Sequence, residues 1–273
     1  MAKVLELQKK DSQGRNKNVG SIEIRNSTEA AADLCFFGDI NSESMGAWQK
    51  YFPDDKAPKD VKDFLDQLEG TPKINVHINS GGGSVFGGIA IYNILKNYKA
   101  EITVYVDGLA ASIASVIAMA GDKIIIPANA QMMIHKPSGF SRGNADDMLK
   151  MAEILNSCQK TILNIYMQRA KEGVTEDDIN AMINAETWKN GKEWQDYFDI
   201  EVSDNINAAA CASDYFDGYK NLPDCFKAQE PDIDIDKIAE MVAERITGKM
   251  QQTDRKNIEE KKAEILNDIE YFV

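Results

Sequence analysis

Ile74-Asn-Val-His-Ile78 followed by Asn79-Ser-Gly-Gly-Gly-Ser84, and Ile102-Thr-Val-Tyr-Val106 followed by Asp107-Gly-Leu-Ala-Ala-Ser112-Ile-Ala-Ser115, are two copies of one pattern. Each is a short β-branched run, then a small-residue turn, then an apolar stretch with helical spacing. The spacing predicts strands over 74–78 and 102–106 and helices over 85–98 and 112–120. Alternation of strand and helix implies βαβ units and a mainly parallel sheet, hence an α/β fold.

Outward from this centre, Leu34-Cys-Phe-Phe37 reads as a buried strand stopped by Gly38, and Asp60–Leu68 as a helix with Val61, Phe64, Leu65 and Leu68 on one face. Residues 41–60 read as loop. Lys123–Ile126 and Gln131–Ile134 are short strands. A long helix is expected over 144–171, and Thr175-Glu-Asp-Asp178 opens another as a capping-box variant. Residues 1–33 alternate weakly at Leu5, Leu7, Ile22 and Ile24, as a short hairpin or an arm would. From 207 the period is lost. After Pro231 helical spacing returns at Ile235, Ile238, Val242 and Ile246, and again over 254–270. The domain reading is an N-terminal arm at 1–33, a catalytic domain at 34–206, and a linker with a C-terminal helical appendage at 207–273.

Composition narrows the function. The 273 residues carry a formal net charge of -13, which gives no electrostatic reason to bind nucleic acid or an anionic membrane. Cys35, Cys158, Cys211 and Cys225 form no CxxC pair and fit a reducing compartment. The N-terminal ten residues have no apolar core of a signal peptide. The apolar run 109–120 is too short to span a bilayer. No H-E-x-x-H or Cys/His cluster is present, so neither a metal nor another cofactor is expected.

Three segments could carry chemistry. The glycine loop 79–84 departs from a dinucleotide fingerprint, because Phe86 stands where the third glycine belongs, and it lacks the Lys-Ser/Thr of a P-loop. It reads either as a turn needing positive φ or as backbone whose N–H groups face a cleft. Ser112 reads either as a helix N-cap or as a nucleophile with the free N–H of Ile113 beside it. The chain has only two histidines. His135 ends the strand Met132-Met-Ile-His135-Lys-Pro137, at a sheet edge or cleft rim, whereas His77 lies inside a strand and reads as structural.

Taken in order, the three motifs resemble the Clp protease proteolytic subunit family (peptidase family S14) over residues 34–204, and most of all its phage and prophage head maturation branch. The resemblance implies Ser112 as nucleophile, His135 as general base, and the backbone N–H groups of Gly83 and Ile113 as oxyanion hole. Glu186 falls where the family carries the aspartate of its triad, and glutamate is the longer side chain. An extended peptide is implied between the glycine loop (Gly82, Ser84) and Lys136, Pro137 and Ser138. The implied fold is the Clp-protease/crotonase-like α/β fold of repeated ββα units, with the 144–171 helix as a handle between stacked homo-oligomeric rings, heptamers among them. The implied activity is an ATP-independent serine endopeptidase in the host cytoplasm or assembling prohead, acting on capsid or scaffold protein. Two alternatives stand beside it: a crotonase-like acyl-CoA enzyme, and an inactive ring-forming assembly module.

Overall fold

The computed structural model describes residues 2–10, 13, 15–40, 42–43, 55–56, 58–204, 211 and 213–227. The helices expected after Pro231 and most of the 41–60 loop lie outside the described residues. The chain divides after Lys227 into two units, and the described residues all belong to the first.

Its elements in chain order are β1 (Lys3–Lys10), β2 (Asn16–Arg25), β3 (Ala32–Ile40), the two-residue β4 (Ser42–Glu43) and β5 (Asp55–Lys56), α1 (Pro58–Leu65), β6 (Lys73–Gly83), α2 (Val85–Lys96), β7 (Glu101–Ala111), α3 (Ile113–Ala118), β8 (Lys123–Pro127), β9 (Gln131–Ile134), α4 (Ala145–Met167), α5 (Glu176–Ala185), β10 (Thr187–Asn190), α6 (Gly191–Trp194) and β11 (Glu201–Ser203). Strands run in the order β1-β2-β3-β6-β7-β8-β11, with β9 beside β7 and β10 beside β9. From β3 to β11 the path is parallel throughout, while the β1–β2–β3 edge and the β9–β10 pair are antiparallel. The fold is therefore mixed α/β with a mostly parallel sheet.

Period-two burial explains the layering. In β6 and β7, Ile74, Val76, Ile78, Ile102, Val104 and Val106 are fully buried, while Asn75, His77, Thr103 and Tyr105 between them are half-buried. The buried face joins Leu95 of α2 and Val116 and Ile117 of α3 in one core, which also takes in Leu7, Ile22 and Ile24 of the N-terminal hairpin. The alternation at 5, 7, 22 and 24 is thus the core-facing side of a hairpin that extends the sheet.

The chain beyond 206 departs from the linker expected there. Cys211 and residues 213–227 belong to the first unit, because Phe216 is buried against Leu109, Ala111 and Met133, with Tyr219, Leu222 and Phe226 packed around it. Four apolar side chains in so short a stretch remove enough surface from water to hold it to the sheet, at about 2 kcal/mol for each one fully buried.

Candidate active site

Strand β7 divides. Its first half, Thr103–Tyr105, pairs with β8, and its last three residues, Leu109–Ala111, pair in parallel with Gln131–Met133 of β9. Parallel neighbours end at the same side of a sheet, which is where α/β folds build sites. The register Ala111↔Met133 sets the residues after these strands beside each other. Ser112 donates its N–H to Met133 O at 2.9 Å, and its Oγ lies 2.8 Å from His135 Nε2.

Ser112 has φ 55° and ψ -125°, the conformation of the first central residue of a type II′ turn. A residue with a Cβ is strained there, and such strain gathers at functional positions. The turn is braced from below: Ser115 Oγ donates to Ser112 O at 2.5 Å and bonds the buried Tyr166 hydroxyl at 2.7 Å. Ser112 makes no side-chain cap bond to α3, so of its two readings the N-cap is the one the geometry lacks.

His135 follows directly on β9, whose Met132 O accepts a bond from the buried Trp194 indole at 2.9 Å. Burial pushes the His135 pKa below the ordinary histidine value, and the negative charge of Glu186 opposes this. A neutral imidazole at neutral pH can accept a proton from the serine hydroxyl.

The glycine loop closes the other side. Gly82 and Gly83 have φ +106° and +145°. A Cβ on Gly82 would stand 2.7 Å from Ser112 Cβ, and one on Gly83 2.1 Å from Ile40 O. Glycine at 82 lets the loop backbone pass against the serine. The turn reading of the loop, with its need for positive φ, is met at Gly82 and Gly83. Ile113 opens α3, and its N–H has no acceptor among the described residues.

Other expected residues stand differently. The Ser84 side chain caps α2, accepting from Gly87 N at 3.1 Å, so it is committed to the helix. Lys136 and Ser138 are exposed and Pro137 is half-buried, in a stretch without secondary structure after His135. Glu186 is buried, but among the described residues no hydrogen bond joins it to His135. The residue is the left-handed C-cap of α5. Its carboxylate accepts from Trp188 Nε1 at 3.3 Å, Lys220 N at 3.0 Å and Asn221 N at 2.7 Å. Glu186 thus stands at the position matched to the family's aspartate with its carboxylate bonded to Trp188, Lys220 and Asn221.

His77, read as structural, pairs Nδ1 with Asp107 Oδ1 at 3.0 Å and stacks on Tyr105 with ring centres 5.1 Å apart.

Sequence reasoning missed Tyr219. Its hydroxyl donates to Gly81 O at 2.5 Å, and its ring meets His135 edge-on at 5.2 Å. The only signal was composition: Tyr215, Phe216, Tyr219, Leu222 and Phe226 are too apolar for a solvated linker.

Residues 60–198 match the family model of the Clp protease, about half of the chain. An ATP-dependent Clp protease proteolytic subunit of Streptococcus gordonii is 34% identical over 150 residues, which are 53% of this chain and 75% of that protein. Its counterpart in Oltmannsiellopsis viridis is 32% identical over 137 residues, 49% of this chain and 69% of that protein. A Streptococcus pneumoniae subunit is 33% identical over 139 residues, 49% and 69% of the two chains. The chain belongs to the Clp protease family. It is a serine-type endopeptidase. The family match takes in Ser112, His135 and Glu186, whereas the stretch that carries Tyr219 lies beyond its last matched residue. Among the described residues no helix is long and apolar enough to cross a membrane, and no group of three or more His, Cys, Asp or Glu side chains could hold a metal ion.

Proposed function

We propose that this Clp-family peptidase cleaves protein chains through Ser112 and His135. The observation that carries the reading is the 2.8 Å contact between Ser112 Oγ and His135 Nε2 at a strained turn beside the glycine loop. As Oγ attacks the scissile carbonyl carbon, its proton passes to Nε2. The carbonyl oxygen gains negative charge, which the N–H groups of Gly83 and Ile113 are suited to receive. Collapse breaks the C–N bond, and the leaving amine takes the proton from the imidazolium. Water, deprotonated by His135, then hydrolyses the acyl-enzyme. Glu186 favours the imidazolium by its charge, so the pair works as a dyad with a remote carboxylate.

Protein substrates and homo-oligomeric rings follow from the family. The finer reading places the chain in the phage head maturation branch, with capsid or scaffold protein as substrate, in the cytoplasm or the assembling prohead. The Streptococcus and Oltmannsiellopsis relatives are named for ATP-dependent proteolysis; we read this chain as ATP-independent. Its strands Lys3–Lys10 and Asn16–Arg25 are paired into the main sheet, with Leu7, Ile22 and Ile24 buried, and this supports the reading.

Digestion of denatured casein without nucleotide tests this. We expect cleavage by the wild-type chain, and a fall of about 10⁴-fold or more in kcat/KM for Ser112→Ala and for His135→Ala. Casein left intact unless an ATPase partner and ATP are supplied would refute the ATP-independent reading. Full activity of either variant would refute the dyad.

A further inference from the structure

We infer that residues 213–221 form a built-in plug that holds this peptidase closed, lying on the glycine loop where a substrate chain must pass. The inference rests on the Ser112–His135 reading.

The plug is seated at several points. Ser213 Oγ donates to Asp39 Oδ1 at 2.5 Å, and Asp214 N donates to Asp39 Oδ2 at 3.1 Å. Asp39 is buried at the end of β3, next to the strand that carries the loop. Phe216 is buried on Leu109, Ala111 and Met133, the strand ends that lead to Ser112 and His135. Tyr219 bridges the glycine loop and the base, donating to Gly81 O and setting its ring edge-on to His135. Lys220 N and Asn221 N close on Glu186. The contact is intimate, since a Cβ on Gly81 would fall 2.2 Å from Ser213 Oγ and one on Gly82 3.2 Å from the Tyr219 hydroxyl.

An extended peptide binds a strand through main-chain hydrogen bonds to that strand's own carbonyl and amide groups. Here the carbonyl oxygens of Asn79 and Gly81, two residues apart on β6, already accept, the first from the Cys211 thiol, which precedes the plug in sequence, at 3.7 Å and the second from the plug's Tyr219 hydroxyl. At Gly81 the donor is a phenol and not a peptide N–H, so this contact blocks the cleft without offering a bond to cut. Substrate and plug therefore compete for the same acceptors, and activity follows the fraction of molecules whose plug has lifted.

The test is the rate at which a rhodamine fluorophosphonate labels the full chain, with Ser112→Ala as blank. Phe216→Ala/Tyr219→Ala removes the seat and the contact over the serine. We expect it to label at least about tenfold faster than wild type, since the labelling rate scales with the open fraction. Equal or slower labelling of the folded double variant, with the blank unlabelled, would overturn the plug and leave the nucleophile assignment standing. If the double variant fails to fold, hydrogen exchange on the wild type decides. Acylation of Ser112 should then raise exchange at the amides of 213–221, and unchanged protection would overturn the plug. If no chain is labelled at Ser112, the nucleophile assignment fails by itself. The plug is then read from fluorescein-casein anisotropy on Ser112→Ala with and without the two plug substitutions. Tighter binding on opening supports the plug, and unchanged affinity overturns it.

Discussion

Position 186 shows how a residue's role depends on which atoms reach it. An aspartate bonded to a catalytic histidine fixes its tautomer and supports its charged form. Glu186 instead spends its carboxylate on Trp188, Lys220 and Asn221, and its negative charge opposes the lowering of the His135 pKa. This has a pH signature. Burial lowers the His135 pKa and only the neutral imidazole accepts the serine proton, so the acid limb of kcat/KM should lie below the ordinary histidine value. Glu186→Gln removes the charge that raises this pKa, and the limb should move further toward acid. A limb that stays in place or moves toward neutral pH in Glu186→Gln would show that the carboxylate does not act in this way. Ser112 and His135 were legible because each follows a strand in a distinctive small-residue or apolar context. The missing Glu186–His135 bond was not, because α5 ends on a left-handed residue whose side-chain direction no local pattern encodes.

Elements were legible where the period was clean. The strands at 74–78 and 102–106 exist but run on to Gly83 and Ala111, because their glycine and alanine ends still pair with β3 and β9. The long helix is shorter than expected, 145–167 against 144–171, with Asn144 as its cap in a full capping box. The box at Thr175 forms with Asp178 in place of glutamate. Two central strands are also tied across their polar face by His77 of β6 and Asp107 of β7. The bond to Asp107 raises the His77 pKa above its ordinary value. A raised folded-state pKa stabilises the fold below the unfolded-state value, and the gain is lost as pH climbs through the folded one. Wild-type Tm should therefore fall over that window, above the ordinary histidine value, while Asp107→Asn, lacking the partner charge, should show a flatter profile. Parallel Tm profiles for the two proteins would remove the pair from the stability account.

For the molecule as a whole, sequence pattern revealed the parallel sheet but not the end of the first unit. Residues 213–227 have no helical or strand period, and their attachment depends on apolar side chains meeting β7 and β9 far away in sequence. Ring assembly, which we propose for this chain, needs surface that the chain leaves uncovered. Leu149, at 64% exposed, and Met148, at 42%, lie in the opening turns of the handle helix, with Phe140 just before it at 78%. We read these exposed apolar side chains as candidates for a docking face. If the handle joins rings, Leu149→Glu should lower the mass measured by light scattering to that of a single ring, and an unchanged mass would place the contact elsewhere. All of these expectations presuppose one nucleophile. Intact-mass and peptide-level mass spectrometry after fluorophosphonate treatment tests it most directly. We predict one adduct per chain, on the peptide containing Ser112, and none on Ser112→Ala; an adduct on another residue, or equal labelling of that variant, would contradict the assignment.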